Sequence, residues 1–409
     1  MRLVSPCGRS TVRAVVAIAG TAWVAACTGG GIGSGPSRRD SAGVEIVENR
    51  GEQAWTSTTA WTVAGTPTVS IGGNESDSTA LFARVQNAIR LSDGRIVVAN
   101  GGTRELRFYD ANGRFIKSVG RVGEGPGEFD WLGRILRTDG DSLIVWDPNN
   151  ARLSFFDSGG RFARSVPLRS GQGISFPEPL GRTSDGSLVG RTGSRNNQVG
   201  AFRFSAFYVR YGPDLAPLDT IARRPGDDFF TQPCGRGMCG YEPPFARSTS
   251  AGFHGDRLWI GTADRYEIEV IDMTGRVIRS IRDARPFHEV SGANAARQRE
   301  AFLSTARSPE RRAELEKVYA MMTVPKAMPA YGELRVDRGG ALWVEEYRAT
   351  EDAPSRWTVF DSTGRVLGTV GTPRGLRIDD IGDDYLLGVY RDSLDVEHVR
   401  MHGIVKPRR

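Results

Sequence analysis

Two cysteines in the middle of the chain are well placed to react with each other. Cys234 and Cys239 lie five positions apart in the segment Gln232-Pro-Cys-Gly-Arg-Gly-Met-Cys-Gly240. In an oxidising compartment such a pair closes a small loop and stabilises the fold by restricting the unfolded chain. A zinc site would need further ligands, and the loop contains no histidine. Since the spacing is not Cys-x-x-Cys either, we predict a structural disulfide.

The four histidines do not form a metal or catalytic motif. They are His254, His288, His398 and His402. The spacing of His398 and His402 places both on one side of a helix or a strand, but no third ligand can be placed beside them. The sequence also contains neither a Gly-x-Ser-x-Gly elbow nor a His-Glu-x-x-His helix. We therefore assign no catalytic residue and no metal ligand.

A third cysteine, Cys27, ends a segment with the features of an export signal. Three arginines precede the uncharged stretch 14–26, which is shorter than the roughly 20 residues that span a bilayer. The stretch ends in Val24-Ala-Ala-Cys27, which resembles the lipobox of bacterial lipoproteins. That resemblance implies a cleaved signal peptide over 1–26, a lipidated Cys27 and a membrane anchor. Residues 27–42 would form a Gly/Ser-rich tether. An ordinary cleaved signal peptide is the alternative.

The charge of the chain argues against a nucleic-acid partner. The formal net charge of +6 falls to +3 when the three leader arginines are removed. Basic and acidic residues are interspersed, so no contiguous basic face is expected. The basic residues at the C-terminus, Lys406-Pro-Arg-Arg409, are interpreted as a solvated tail.

Most of the remaining sequence is organised by a repeat. Alternating apolar residues are followed by Asp, two variable residues and Gly-Arg, at Asp110–Arg114, Asp157–Arg161, Asp272–Arg276 and Asp361–Arg365. Alternation predicts strands with one buried face, and Asp and Gly are typical of the turns between them. We interpret the four aspartates as turn residues, with a metal-binding ring of carboxylates as the alternative.

Each repeat has the length of four short antiparallel strands, which is one blade of a β-propeller. Six units can be counted, at about 85–120, 130–168, 180–223, 253–283, 334–370 and 376–404. The segment 44–72 is left over and is expected to pair with the final blade, hiding a free edge. The sequence therefore predicts an all-β, six-bladed propeller over 43–409, with five or seven blades as alternatives.

Two insertions interrupt the repeats. Residues 224–250 carry the cysteine loop, and 288–330 contain a helix. Ser308 and Pro309 are typical of an N-cap and a first turn, and Pro325 would end the helix. Its apolar face comprises Leu315, Val318, Tyr319 and Met322. We expect this helix to pack over one rim of the ring.

The linker Gly120-Arg-Val-Gly-Glu-Gly-Pro-Gly-Glu-Phe129, together with the repeat, resembles the six-bladed propeller lipoproteins related to the NHL-repeat and TolB-like propellers. The resemblance covers nearly the whole mature chain. It implies the fold and an export route, because this group contains binding scaffolds as well as enzymes. Lyases of this type use a histidine-bound zinc and a calcium, and propeller lactonases hold a divalent ion with carboxylates and amides. Glu128, Asp147 and Asn149 have suitable side chains but form no recognisable pattern.

Two functions are compatible with these features. The first is a monomeric scaffold, lipid-anchored in the bacterial cell envelope, whose rim loops bind a protein, peptide or glycan. The second is a metal-dependent hydrolase or lyase with its site, and a divalent ion such as calcium, in the central channel. We predict no cofactor for the scaffold, and the sequence does not decide between a scaffold and an enzyme.

Overall fold

The computed structural model describes residues 35–51, 53–74, 76–168, 177–194, 198–348 and 355–407. Residues from Gly35 onward form one compact unit. The signal peptide, Cys27 and most of the predicted tether lie outside the described residues, so the lipidation of Cys27 stays a prediction. Within the described ranges, no helix is both long enough and apolar enough to cross a membrane.

Four strands precede the repeats in the part of the chain that the structure describes. They are β1 (Ser37–Ser41), β2 (Val44–Asn49), β3 (Thr62–Val63) and β4 (Val69–Ile71). β1 and β2 form an antiparallel hairpin, so the residues at the end of the predicted tether are paired with a neighbouring strand.

The repeats form six antiparallel sheets, which confirm the predicted six-bladed propeller. Blades 1 and 2 contain β5 (Val85–Arg90), β6 (Ile96–Asn100), β7 (Glu105–Tyr109), β8 (Phe115–Val119), β9 (Ile135–Arg137), β10 (Leu143–Asp147), β11 (Arg152–Phe156) and β12 (Phe162–Pro167). Blade 3 contains β13 (Glu178–Arg182), β14 (Leu188–Gly193), β15 (Gly200–Tyr211), β16 (Pro217–Cys234) and β17 (Gly237–Tyr241). Blade 4 contains β18 (Ser250–His254), β19 (Arg257–Gly261), β20 (Glu267–Asp272) and β21 (Val277–Asp283).

Two helices separate blade 4 from the remaining blades, as the predicted helical insertion requires. They are α1 (Gly292–Ser304) and α2 (Pro309–Ala320). Blades 5 and 6 contain β22 (Leu334–Val336), β23 (Leu342–Glu345), β24 (Arg356–Phe360), β25 (Val366–Gly371), β26 (Leu376–Ile381), β27 (Tyr385–Arg391) and β28 (Glu397–Val405). Ser308 caps α2 as predicted, accepting a hydrogen bond from the amide of Arg311 at 3.2 Å. The predicted apolar face of this segment is buried.

The hydrophobic core lies between the blades rather than at a single centre. Six clusters of buried apolar side chains each join two neighbouring blades, including the pair formed by blade 6 and blade 1. The strand alternation explains this arrangement, because each sheet buries both faces against its two neighbours. The first strands surround a central channel, and those of neighbouring blades contact one another from blade 6 through blade 1 to blade 5.

The segment left over at the N-terminus is divided between two blades. β3 and β4 pair with β28 in blade 6, as expected for the segment 44–72. β2 does not: it adds in parallel to the outer strand of blade 4, β21, so that part of the expectation was wrong. The side chain of Asn49 explains its position, because it bonds to backbone groups of both blade 4 and blade 5.

The repeated Asp-x-x-Gly-Arg segments are turns, as predicted. Asp110 accepts hydrogen bonds from two amides of its own turn, both at 2.9 Å, and Gly113 has a φ of 84°. The other three carboxylates, those of Asp157, Asp272 and Asp361, do the same in their blades. Because each carboxylate is bonded within its own turn, these residues do not form a metal-binding ring.

The ring has two different faces. We call the turn face the side that carries the tight turns between first and second strands and between third and fourth strands. We call the linker face the opposite side, which carries the loops between second and third strands and the connections between blades. Both insertions lie on the linker face, because each connects the end of one blade to the start of the next.

Candidate functional site

The central channel is a cavity of 1870 Å³. β5, β9, β13, β18, β22 and β26, the first strands of the six blades, all contribute to its wall. Side chains at alternate positions of these strands point toward the channel, and the others pack between blades. The first strands therefore determine the chemistry of the channel.

The channel wall is rich in charged groups of both signs. Among the described residues it contains eight arginines (134, 137, 182, 191, 297, 335, 338 and 348) and ten acidic residues (139, 178, 227, 242, 300, 333, 337, 345, 379 and 380). Every described basic side chain on the wall other than a histidine is an arginine, whose planar guanidinium binds carboxylates and phosphates in a defined orientation. The channel is thus a polar binding surface rather than an apolar pocket.

Arginines and carboxylates pair on the wall near the linker face. Arg335 lies 2.9 Å from the carboxylate of Glu333, and Arg134 of blade 2 lies 3.6 Å from Glu178 of blade 3. The positive charge of Arg335 lowers the pKa of Glu333, and the charge of Arg134 acts in the same direction against the effect of burial. Glu333 is therefore ionised at neutral pH.

The pKa of Asp379 is shifted in the opposite direction from that of Glu333. Its carboxylate is almost fully buried, 3.3 Å from Arg377, and accepts a hydrogen bond from the amide of Ala88 at 3.0 Å. Burial raises the pKa of Asp379 although the arginines around it oppose the shift. Desolvation of the charged form is the cause.

A second polar cluster lies at the linker-face mouth. Asp227 is paired with Arg191 at 2.8 Å and accepts a hydrogen bond from the amide of Thr249 at 2.9 Å. Burial, and then the negative charge of Asp227, raise the pKa of Glu242. Burial raises the pKa of Tyr347 to about 12, with a contribution from Glu242. Glu242 therefore takes up a proton at a higher pH than an ordinary glutamate does.

The two insertions form a cap beside this mouth. Phe230 of the extended β16 packs with Val318 and Met322 of the helical insertion, and Tyr241 and Phe302 complete the cluster. Residues of α1 between 297 and 304 line the channel, so the insertion lies over one rim of the ring, as expected. The cysteine loop is the turn between β16 and β17, and β16 runs through the predicted boundary at residue 224 without interruption.

At the turn-face mouth, arginines are held by carboxylates and by one carbonyl oxygen. Arg137 lies 2.8 Å from Asp141, and Arg338 lies 2.6 Å from Asp380. Both guanidinium groups also donate to the carbonyl oxygen of Arg90, at 3.0 Å and 2.5 Å. These contacts fix arginines from blades 2 and 5 in place around the opening.

The two predicted disulfide residues lie together in the structure, whereas the three candidate metal ligands lie outside the channel. Cys234 and Cys239 are joined, with an S–S distance of 2.02 Å. The two candidates Glu128 and Asp147 accept hydrogen bonds from nearby backbone amides, and Asn149 donates to Asp130. None of the three lines the channel.

The two histidines of the predicted pair contact different groups. His398 contacts Asp392 at 3.1 Å, and His402 contacts the carbonyl oxygen of Ala64 at 2.8 Å. Burial lowers the pKa of His402, which favours the neutral ring. Across the described part of the chain, no group of three or more His, Cys, Asp or Glu side chains is arranged to hold a metal ion.

Sequence reasoning missed the channel residues because the first strands are short. The sequence nevertheless contains a signal for these residues, namely charged side chains inside otherwise apolar strands. They occur in Leu334-Arg-Val336 and in Leu376-Arg-Ile-Asp-Asp-Ile381. Charges within a strand that packs at the centre of a ring must face the channel or form ion pairs.

The comparisons with known proteins agree with a β-propeller. Residues 75–136, which cover blade 1 and the start of blade 2, match the family described as 6-bladed beta-propeller, DUF5128. The sequence matches no curated protein.

Solved structures resemble the chain only distantly. A Bacteroides fragilis protein described as exported has a TM-score of 0.49 at 12% identity, covering 89% of this chain and 100% of its own. A DUF4221 family member from Bacteroides vulgatus has a TM-score of 0.49 at 11% identity, covering 86% and 100%. Virginiamycin B lyase from Staphylococcus aureus has a TM-score of 0.40 at 9% identity, covering 83% and 99%. These values carry no functional conclusion for this chain.

Proposed function

We propose that the protein is a lipid-anchored binding protein of the bacterial cell envelope, related to the NHL-repeat and TolB-like propellers, which holds a peptide or glycan segment in its central channel. The observation that carries the proposal is the channel itself, 1870 Å³ in volume and lined by arginines and carboxylates. Pockets for small ligands commonly measure about 300–1,000 Å³. A cavity of this size accommodates an extended polar segment.

The walls are ready to bind such a segment without rearrangement. The guanidinium groups of Arg137 and Arg338 are fixed by ion pairs and by the carbonyl oxygen of Arg90. Side chains that are already ordered lose little conformational entropy when a ligand binds. Arginine and carboxylate groups together suit ligands that carry both donors and acceptors, as peptides and glycans do.

The anchor in this proposal comes from the leader and Cys27. A multiply acylated cysteine would hold the protein at a membrane stably, whereas a single chain holds weakly. The hydrolase or lyase alternative would need carboxylates that are free to bind a metal ion, whereas Glu333 and Asp380 are each paired with an arginine.

The experiment is capture from cell-envelope extract with immobilised residues 28–409. Two double variants are compared with the unchanged protein: Arg134→Ala/Glu242→Gln in the channel, and Arg121→Ala/Glu124→Gln outside it. We expect the unchanged protein and the outer variant to capture the same peptide or glycan. The channel variant should bind about tenfold more weakly or worse, because one lost charge-assisted hydrogen bond costs about 1.5–3 kcal/mol. Equal binding by all three proteins would reject the channel as the binding site.

A further inference from the structure

We infer that the linker face of the ring lies directly against the lipid bilayer, contacting it through exposed apolar side chains of the two insertions and the blade linkers. The inference rests on the proposed lipid anchor and adds an orientation to it. It follows from three independent features: where the tether joins the ring, how short the tether is, and where the exposed apolar side chains lie.

The tether joins the ring on the linker face. Ser37, the first residue of β1, pairs with Glu48 of β2, and Glu48 is in register with Arg282 of β21. Two strand spacings, about 10 Å, therefore separate Ser37 from Arg282. The outer strand β21 ends one residue later, and the helical insertion follows it on the linker face. The amide of Ala284 also bonds to the carbonyl oxygen of Asn49 at 3.0 Å.

The tether is too short to let the ring move far from the membrane. Cys27 and Gly35, where the compact unit begins, are eight positions apart in the chain. A fully extended chain of this length spans at most about 28 Å, and a flexible one averages roughly 16 Å. The edge of the ring at blade 4 is thus held within reach of the headgroups.

Exposed apolar side chains are concentrated on the same face. Of the thirteen large apolar side chains that are exposed among the described residues, Phe115, Ile116, Leu218 and Val405 lie toward the turn face, and the other nine lie on the linker face. The helical insertion and its flanks contribute Phe287, Met321 and Val324. The remainder include Trp131 in the linker after blade 1, Met238 in the cysteine loop and Leu394 in blade 6.

This distribution suits a bilayer surface. Large apolar side chains on an exposed face gain free energy when they enter the region between headgroups and acyl chains, and tryptophan is favoured at that depth. The insertions form the cap on the linker face, so their exposed side chains lie on the side that would meet a membrane. With the linker face against the bilayer, the turn-face mouth of the channel opens away from the membrane, and ligands enter there.

The test uses a substitute anchor, so that it does not depend on the acylation of Cys27. Residues 28–409 carry an N-terminal polyhistidine tag and are bound to phosphatidylcholine/phosphatidylglycerol vesicles that contain a nickel-chelating lipid. A polarity-sensitive fluorophore is attached at Met321→Cys on the linker face or, as the matched control, at Leu218→Cys on the turn face. The two positions are 55% and 56% exposed, and the native cysteines are held in their disulfide.

We expect the emission at position 321 to shift to the blue and to strengthen severalfold on vesicles, while the emission at position 218 does not change. An unchanged signal at 321 on anchored protein would overturn the inference. A shift at 218 would place the opposite face on the membrane and overturn it as well. Labelling of Cys27 by palmitate in cells tests the anchor separately. A failure of the lipid anchor can therefore be distinguished from a failure of the inferred orientation.

Discussion

The carboxylate of Asp379 in blade 6 accepts a hydrogen bond from the backbone amide of Ala88 in blade 1, at 3.0 Å. This bond joins the last blade to the first inside the channel wall. A buried carboxylate with a raised pKa stabilises the fold most when it is protonated, since the folded state binds the proton more tightly than the unfolded chain. The buried carboxylate lowers the free energy of unfolding once the pH rises above the ordinary pKa of an aspartate, and this loss grows until the pH exceeds the raised pKa.

We expect Asp379→Asn to remove that contribution while keeping an oxygen that accepts from Ala88. The free energy of unfolding at pH 7 should be equal to or higher than that of the unchanged protein, and the advantage should disappear as the pH falls below the ordinary value. Urea unfolding at pH 7 and pH 3 measures the difference. A variant that is less stable at pH 7 would show that the ion pair with Arg377 outweighs desolvation.

Asn49 should be important for stability although it lies outside the repeats. Its side chain is buried and makes hydrogen bonds to the carbonyl oxygens of Arg282 and Gly364 and to the amide of Val366. Leaving these backbone groups unpaired should cost about 1–3 kcal/mol in Asn49→Ala. Thermal or urea unfolding checks the loss, and Asn149→Ala, at an exposed position, is the control. Equal stability of the two variants would contradict the role of Asn49.

The disulfide should stabilise the cap locally rather than the ring. Closing so short a loop contributes roughly 2 kcal/mol, and the strands that carry the loop contact the helical insertion through the cluster around Phe230. We expect Cys234→Ser/Cys239→Ser to speed amide exchange in β16, β17 and α2 without changing it in blades 1 and 6. Arg236→Ser, in the same loop, keeps the disulfide and is the control. Faster amide exchange throughout the ring would contradict a local role of the disulfide.

Cys27 should anchor the protein without contributing to its fold. All six blades lie within residues that follow the predicted lipidation site. We therefore expect Cys27→Ser to release folded protein into the soluble envelope fraction, with the same unfolding transition as the anchored form. Fractionation and circular dichroism measure this outcome. Retention in the membrane, or loss of folding, would contradict the division between anchor and ring.

The repeats allowed the fold to be predicted because four of the six blades share one local pattern. The aspartates of the turns accept backbone hydrogen bonds and the glycines adopt a positive φ, so the roles of residues such as Asp110 and Gly113 could be predicted without a structure. Ser308 likewise identified the start of a helix from its position before Pro309.

Long-range pairing could not be predicted in the same way. The parallel addition of β2 to blade 4 depends on which outer edge is free and on the contacts of Asn49, neither of which the local sequence reveals. The channel residues were missed for a related reason. Arg335 and Asp379 lie in short strands from different blades, and only the closed ring brings them to one wall.

The most direct test of the central claim is photo-crosslinking from inside the channel in living cells. A photoreactive amino acid replaces Gln298, which lines the channel on α1, or Gln53, which lies outside the channel as the matched control. The proposed function predicts a discrete covalent adduct of a peptide or glycan at position 298 and none at position 53. Adducts at position 53 alone, or none at either position, would contradict a binding function of the channel.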